Sequence, residues 1–257
     1  EDVYHQLQFL KAELLIGAGE DMQSIFPEGF VFINSLYGLS WCNLIEHLDK
    51  KSEFYKEGMK EISWSIHEIN SPKGKMIFDK DLILEYGAFY TGWNNYLLGN
   101  KLKIQLEEER DSNEVNQLKR VCQQIVIATD SSSSPYLQSY LGMAWPADMT
   151  VAIASVSIYN QLFDPKYRGF INEWIVRVKS KLDTSTGLIP HAVNAITGST
   201  TDGARGASQS LILNFLIEID SSFAKEQFEI YRDLFLDSRC FLPGIREYPK
   251  GREGDGD

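Results

Sequence analysis

Cysteine is scarce in this sequence, and the few cysteines present form no pattern. The 257 residues include three, Cys42, Cys122 and Cys240, and none belongs to a Cys-x-x-Cys pair. An odd number of thiols excludes a fully paired disulfide framework within the chain, and the wide spacing disfavours a zinc site. Because each cysteine stands beside apolar residues, we expect buried thiols, while one disulfide stays possible.

Several motifs that mark a function class are also missing. The sequence has no HExxH, no Cys/His cluster and no EF-hand loop, so we expect no metal, and we expect no cofactor. It has no GxSxG elbow, which disfavours a serine hydrolase. Lysine and arginine form no runs, and a net charge of −11 repels phosphate backbones, so a nucleic-acid partner is disfavoured.

Long apolar runs are absent as well. No stretch approaches the roughly 20 apolar residues that a membrane span needs. We therefore expect a soluble protein, in either the periplasm or the cytoplasm, and the oligomeric state stays open.

Strand patterns are rare, whereas helix-period patterns recur along the whole chain, which predicts an all-α protein. The predicted helices are Val3 to Ile16, Phe30 to Leu48, Lys51 to Ile69, Leu82 to Leu98, Glu114 to Thr129, Met149 to Phe163, Pro165 to Leu182, Arg205 to Ile219 and Ser222 to Leu236. Ser221 and Ser222 are both suitable N-caps for the last of these helices.

Two kinds of helix alternate in this series. A nearly all-apolar helix is followed by an amphipathic one, about four times, at intervals of about 50 to 60 residues. Two helical layers produce such alternation, because inner helices are buried on all sides and outer ones on one side. The pattern favours an (α/α) toroid of helical hairpins over an α-solenoid, whose repeats are shorter and more alike.

We expect one toroid domain over residues 1–257. The sequence ends in a loop-like stretch, Gly254 to Asp257. We therefore expect the toroid to be incomplete in this sequence, with further C-terminal hairpins missing.

The first candidate site residue is Asp148, which directly precedes an apolar helix. It is either an N-cap or a carboxylate at the mouth of the toroid, and the two roles are compatible. Trp145 and Tyr140 precede it closely and could supply aromatic walls. A carboxylate that acts as an acid near neutral pH needs a raised pKa, which partial burial among aromatic rings can supply.

Two loops in the second half carry further candidates. His191 follows Pro190 in a loop, where it is either inert or suited to acid/base work. Arg205 stands between two glycines at a helix start, where it either clamps a substrate anion or forms an internal salt bridge.

Four other residues complete the candidate set. Glu85 and Trp93 belong to an aromatic-rich segment that starts an inner-type helix. Glu247 and Tyr248 belong to a polar loop between two prolines. We assign Glu85 as a second catalytic carboxylate and the other three as substrate-binding residues.

The order of motifs in the second half resembles the six-hairpin glycosidase-like superfamily. It is most similar to the unsaturated glucuronyl and rhamnogalacturonyl hydrolases, which have a helix-initiating Asp, a DPKY-like turn, a D-x-x-TGL-x-x-H segment and an R-G turn. Here these elements are Asp148, Asp164 to Tyr167, Asp183 to His191, and Arg205-Gly206. The Trp-rich sequence that follows the R-G turn in the family is replaced by Ala207 to Ser210.

The resemblance implies a general acid/base role for Asp148 in a carbohydrate-active hydrolase or hydratase, on an oligosaccharide that is possibly uronic. The segments around Arg205 and Arg246 also look like bacterial toroid proteins and the toroid of linalool dehydratase-isomerase. That likeness leaves a terpenoid or small-molecule dehydratase or isomerase as an alternative. A non-catalytic binding protein is the third, and it predicts that Asp148 only caps its helix and that no second carboxylate faces it.

Overall fold

The structure is almost entirely helical. It is a computed structural model that describes residues 1–239 and 241–252, so Cys240 and Gly254 to Asp257 lie outside the described residues. Within the described ranges the all-α prediction is confirmed. The helices are α1 (Asp2–Leu15), α2 (Ala18–Ile25), α3 (Gly29–Ile45), α4 (Glu53–Asn70), α5 (Pro72–Lys75), α6 (Gly87–Ile104), α7 (Ser112–Ser131), α8 (Pro146–Leu162), α9 (Arg168–Lys179), α10 (Gly206–Ile219) and α11 (Ser221–Phe235), with a 3-10 turn at Glu107–Glu109.

Four of these helices form an inner row. Helix α3 packs against α6, α6 against α8, and α8 against α10. Both α6 and α8 are buried along nearly their whole length, because they contribute to the two largest hydrophobic clusters on different faces. Helix α10 is buried on one side only, and it exposes Ser210, Asn214 and Ile217.

The outer helices bury a single face each. Helix α4 packs on α3, α7 on α6 and α8, α9 on α8, and α11 on α10. In α7 the buried residues include Leu118, Cys122 and Ile125, which follow each other at helical spacing on one side. The expected alternation of buried and amphipathic helices is therefore present.

Some helices begin at other residues than the sequence predicts. Helix α6 starts at Gly87 and not at Leu82, because Tyr86 and Gly87 have φ angles of 64° and 79° and break the helical path. Helix α11 is capped by Asp220, whose carboxylate accepts a hydrogen bond from the Phe223 N–H at 2.7 Å, so the assignment of Ser221 or Ser222 as cap is wrong.

Two small antiparallel sheets are features that the sequence did not indicate. The first joins β1 (Met143–Ala144), β2 (Ala192–Asn194) and β3 (Thr200–Asp202). The second pairs β4 (Leu236–Arg239) with β5 (Leu242–Ile245). Strands of two to four residues are too short to show alternation. The first sheet matters for the site, because it ties the loop before α8 to the loop that leads into α10.

None of the described helices combines the length and the apolar character that a membrane crossing needs.

Candidate active site

A cleft of about 640 Å³ opens where the inner helices begin. Glu28 and Phe32 come from the start of α3, and Phe89 comes from the start of α6. The start of α8, the start of α10 and the loop between α9 and α10 supply the rest of the lining: Trp145, Ala147, Asp148, His191, Ala207, Ser208, Ser210, Leu211 and Asn214. Three residues proposed from the sequence, Asp148, His191 and Trp145, therefore meet in one cleft.

Asp148 is the third residue of α8 and is buried. The helix begins after Trp145, and the Asp148 side chain does not cap it. Instead, one carboxylate oxygen, Oδ2, accepts a short hydrogen bond from the Ser139 hydroxyl. The expectation that Asp148 is an N-cap is therefore wrong, because Pro146 starts the helix two residues earlier. The other oxygen, Oδ1, makes no hydrogen bond to the described residues.

The protonation of Asp148 is unusual for an aspartate. Burial raises the pKa of its carboxyl to about 7, the Ser139 hydrogen bond opposes the rise, and the negative charge of Glu28 adds to it. An ordinary aspartate has a pKa near 3.9 and would be ionised at neutral pH. Asp148 is therefore poised to give and take a proton near pH 7.

Glu28 is the second carboxylate of the cleft. It is half-buried, it precedes α3, and it lies near enough to Asp148 to raise the pKa of that carboxyl. Burial raises the pKa of the neighbouring Tyr140 phenol, and the charge of Glu28 raises it further. The hypothesis of a non-catalytic binding protein predicted that no second carboxylate faces Asp148. The presence of Glu28 in the same cleft argues against that hypothesis.

Aromatic rings wall the cleft next to these carboxylates. Trp145 is half-buried, and Tyr140 meets it edge to face with 5.9 Å between ring centroids. Phe32 and Phe89 complete the wall on the side of α3 and α6. Exposed aromatic faces beside hydrogen-bonding groups suit the apolar faces of a sugar ring or an apolar alcohol.

His191 reaches the cleft from the loop that precedes β2. Its Nδ1 is hydrogen-bonded to the Ser208 hydroxyl, and Ser208 is buried in the first turn of α10. Burial lowers the pKa of the His191 ring, and the positive charge of Arg205 lowers it further. The ring is therefore mainly neutral at pH 7. Its Nε2 can form a hydrogen bond with a substrate hydroxyl, as donor or acceptor according to the tautomer.

The Asp183 segment shapes the loop that carries His191. The Asp183 carboxylate accepts hydrogen bonds from the Ser185 and Thr186 hydroxyls, at 2.8 and 2.7 Å, and from the Ala204 N–H. Burial raises the pKa of Asp183, but these bonds outweigh burial and leave the pKa below its ordinary value. Asp183 thus stays ionised and holds together the two ends of the loop.

Arg205 forms ion pairs within the chain, although its Nε has no hydrogen-bond partner among the described residues. Its guanidinium pairs with Asp202 at 2.7 Å, lies 4.0 Å from Glu247, and sits 5.3 Å from the centre of the Tyr248 ring. The Glu247 carboxylate in turn accepts the Ala207 N–H at 3.0 Å, so it occupies the N-terminus of α10 that an external anion would use. Of the two interpretations of Arg205, the structure shows the internal salt bridge.

Glu85 and Trp93 lie apart from the cleft. Glu85 lines a different cavity, between the outer helices. Trp93 is only 1% exposed and packs between Phe32 and Phe215, with ring centroids 5.1 and 5.4 Å away. Neither residue takes the position assigned from the sequence, because neither is among the side chains that line the cleft.

The sequence analysis missed Glu28, Ser139 and Ser208. Glu28 lies 120 positions before Asp148 in a segment without any motif, so only the packing of α3 near α8 brings them together. Ser208 had a weak signal, because it follows the R-G turn directly. Ser139 directly precedes Tyr140 in the chain, but a serine there carries no distinctive pattern.

Comparison with known proteins adds no family assignment. No protein-family model matches the chain, and no curated protein matches it. Among the described residues, no group of three histidine, cysteine, aspartate or glutamate side chains comes together in a way that could hold a metal ion.

Proposed function

We propose that the protein is a general acid–base enzyme that hydrolyses or hydrates an oligosaccharide in this cleft. One observation carries the proposal: Asp148, a buried carboxyl with a pKa of about 7, opens onto an aromatic-walled cleft that also contains Glu28. Structural aspartates rarely combine a pKa near neutrality with access to a cleft, whereas catalytic acids need both.

In this proposal the side chains have distinct tasks. Asp148 donates its proton to the glycosidic oxygen, and Ser139 holds Oδ2 so that Oδ1 faces the substrate. The Glu28 carboxylate stabilises the positive charge that develops on the sugar ring, or it activates the attacking water. Trp145 stacks on the ring, and His191 binds a hydroxyl.

The charges of the cleft favour a neutral sugar over a uronic acid. Its lining contains the Glu28 carboxylate and no lysine or arginine, and Asp148 is neutral in the protonated form that acts as the acid. Arg205, the candidate for binding a substrate carboxylate, is already paired with Asp202 and lies close to Glu247. A negatively charged substrate would meet repulsion here without a free cation to offset it.

The overall arrangement of hairpins fits the same proposal. Four inner helices with outer partners are the arrangement that an (α/α) toroid requires, and the cleft at the inner N-termini matches its rim. We infer a toroid-like arrangement of hairpins related to the six-hairpin glycosidase-like superfamily. The matching order of Asp148, Asp183, His191 and Arg205 supports this inference.

The apolar walls support a second candidate function. Phe32, Phe89, Trp145 and Leu211 leave much of the cleft without hydrogen-bonding groups. Such a surface suits a terpenoid or other apolar alcohol, which Asp148 would protonate for dehydration.

The test is turnover by the wild type, Asp148→Asn and Glu28→Gln on neutral oligosaccharides, unsaturated uronic oligosaccharides and monoterpene alcohols. We expect neutral sugars to be turned over and Asp148→Asn to lose at least about 100-fold in rate, since general acid catalysis is worth that much. Asp164→Asn, an exposed carboxylate next to α9, serves as the control.

Each class of substrate separates the candidates. Turnover of the uronic sugars alone would overturn the charge argument, and turnover of the alcohols alone would favour the dehydratase. Folded protein that is inactive on all three classes, or activity that Asp148→Asn retains, would refute the proposed function.

A further inference from the structure

A second cavity lies on the outer side of the inner helix α6. It has a volume of about 180 Å³, and its floor is formed by Thr91, Asn94 and Asn95 of α6. The end of α4, the loop before α6 and one face of α7 form its walls. It shares no lining residue with the cleft that contains Asp148. It also contains Glu85, which the cleft does not use.

Side-chain amides are the most frequent polar groups in the lining of this cavity. An amide offers both a hydrogen-bond donor and an acceptor, as a pair of adjacent hydroxyls does. Five amide side chains face this one small space: Asn70, Asn94, Asn95, Gln117 and Gln124. Packing of α6 against α7 does not require these amides. Apolar residues would fill the same gap without the free-energy cost of removing polar groups from water.

The inner part of the cavity is held in a fixed arrangement by its own hydrogen bonds. Asn70 and Asn94 donate to each other's carbonyl oxygens at 3.0 and 3.1 Å, and the Tyr90 hydroxyl lies 3.2 Å from the Asn70 oxygen. Asn94 keeps one N–H and one lone pair that these bonds do not use. A ligand would therefore meet a preorganised donor and acceptor, which reduces the entropic cost of binding.

Tyr86 adds an aromatic wall and a strained backbone at the same place. It lies 5.2 Å from the Tyr90 ring, between centroids, and its φ of 64° is unfavourable for a residue other than glycine. A left-handed tyrosine is unfavourable and persists only where the surroundings enforce it, often at ligand sites. Here the strained residue borders a cavity that already offers amides.

The rim of the cavity is available to a ligand. Gln117, Arg120 and Gln124 of α7 make no side-chain hydrogen bond or ion pair to the described residues. The charged side chains of the lining are Lys75, Arg120 and Glu85, so its formal charge is only +1, too small to select a strongly charged anion. Neutral groups with several hydroxyls match this chemistry.

We propose that this cavity binds one neutral polyhydroxylated ring, such as a single sugar unit. The volume equals about six water molecules in the liquid, which suits one ring but not a chain of them. Amides and Arg120 bind the hydroxyls, and Tyr86 covers an apolar face of the ring. The site does not depend on the activity proposed for the cleft. A small, open site of this kind binds weakly, with a dissociation constant on the order of millimolar.

Saturation-transfer NMR with glucose and galactose tests the proposal, with cyclohexanol as a ring of similar shape that carries a single hydroxyl. The test variant is Gln117→Ala with Arg120→Ala, two residues at the solvent-facing rim. Gln123→Ala removes an exposed amide of the same helix that does not line the cavity, so it is the matched control. Asp148→Asn reports binding in the cleft.

We expect a sugar signal that weakens about fivefold or more in the rim variant, as the loss of two or more hydrogen bonds predicts, and persists in both Gln123→Ala and Asp148→Asn. Absence of a sugar signal would overturn the proposal. A signal that cyclohexanol reproduces, or that Asp148→Asn removes while the rim variant keeps it, would also overturn it. Circular dichroism of each variant verifies that the fold is intact.

Discussion

At the residue scale, Asp148 combines two opposing environments. Its position in the first turn of α8 favours a negative charge, because the helix N-terminus is electropositive. Burial and the charge of Glu28 favour the protonated form, and they outweigh the helix and the Ser139 hydrogen bond. The result is a carboxyl that changes its charge close to neutral pH.

This pKa predicts a pH-dependent stability. The folded pKa of Asp148 is about 7, above the value of about 3.9 in an unfolded chain. The folded state therefore holds a proton that the unfolded state loses between about pH 4 and 7, and stability falls as the pH rises through this window. Asp148→Asn removes the effect, so the variant should match the wild type near pH 4. It should be more stable by up to about 4 kcal/mol at pH 8.

Urea unfolding of both proteins at pH 4 and at pH 8, near the lower limit of the window and about one unit above its upper limit, measures the difference. Asp164→Asn, at an exposed site, should leave the pH dependence unchanged. A constant difference between wild type and Asp148→Asn at both pH values would show that the carboxyl titrates normally.

The candidate residues show which parts of a site are local in sequence. Asp148 and Trp145 are neighbours in the chain, and His191 lies in a loop with Gly and Pro, so their segments were identifiable. Glu28 was not, because no local pattern distinguishes it from other acidic residues. Trp93 was misplaced because an apolar helix does not reveal which of its faces is turned toward the cleft. Glu85 was misplaced because it lies in the loop before α6 and lines a different cavity.

At the element scale, the start of α6 connects two regions of the site. Gly87 has a φ of 79°, and the Ala88 N–H donates to the Gln138 carbonyl at 2.8 Å. An added Cβ on Gly87 would collide with the carbonyl oxygen of Ser139. Since the Ser139 hydroxyl holds Asp148, this close approach fixes the cleft as well as the helix start.

A comparison of Gly87→Ala with Gly142→Ala separates the free-energy cost of backbone strain from that of a steric collision. Both glycines have a left-handed φ, but an added Cβ on Gly142 would meet nothing within 4 Å. Gly142→Ala should cost about 1 kcal/mol of unfolding free energy through backbone strain alone. Gly87→Ala should cost at least about 2 to 3 kcal/mol, because the collision adds to the strain. Equal losses in denaturant titrations would contradict a tight contact at Ser139.

At the scale of the whole molecule, aromatic rings join helices that are distant in sequence. Phe215 of α10 packs edge to face against Trp93 and Tyr96 of α6, with centroids 5.4 and 4.9 Å apart. Phe32 of α3 meets the same Trp93. The cleft thus has a rigid floor where α3, α6 and α10 converge.

Phe215→Ala should therefore destabilise the protein by about 3 to 5 kcal/mol, the usual cost of removing a buried aromatic ring. Phe228→Ala, on the exposed side of α11 with 46% of its surface accessible, should cost less than about 1 kcal/mol. Denaturant unfolding monitored by tryptophan fluorescence reports both. Similar losses for the two variants would mean that Phe215 is not part of a packed core.

The sequence by itself determined the class of the fold and the alternation of its helices, because hydrophobic periodicity and burial are properties of each segment. It also identified the stretches around Asp148 and His191, because unusual residues stand at helix starts and in loops. Only the tertiary structure decided which side chains share the cleft. Glu28 joined it and Trp93 was buried, since contacts across more than a hundred residues depend on how helices pack and not on any local pattern. Arg205 pairs with Asp202, only three positions earlier, and only the folded loop shows that its guanidinium forms this ion pair.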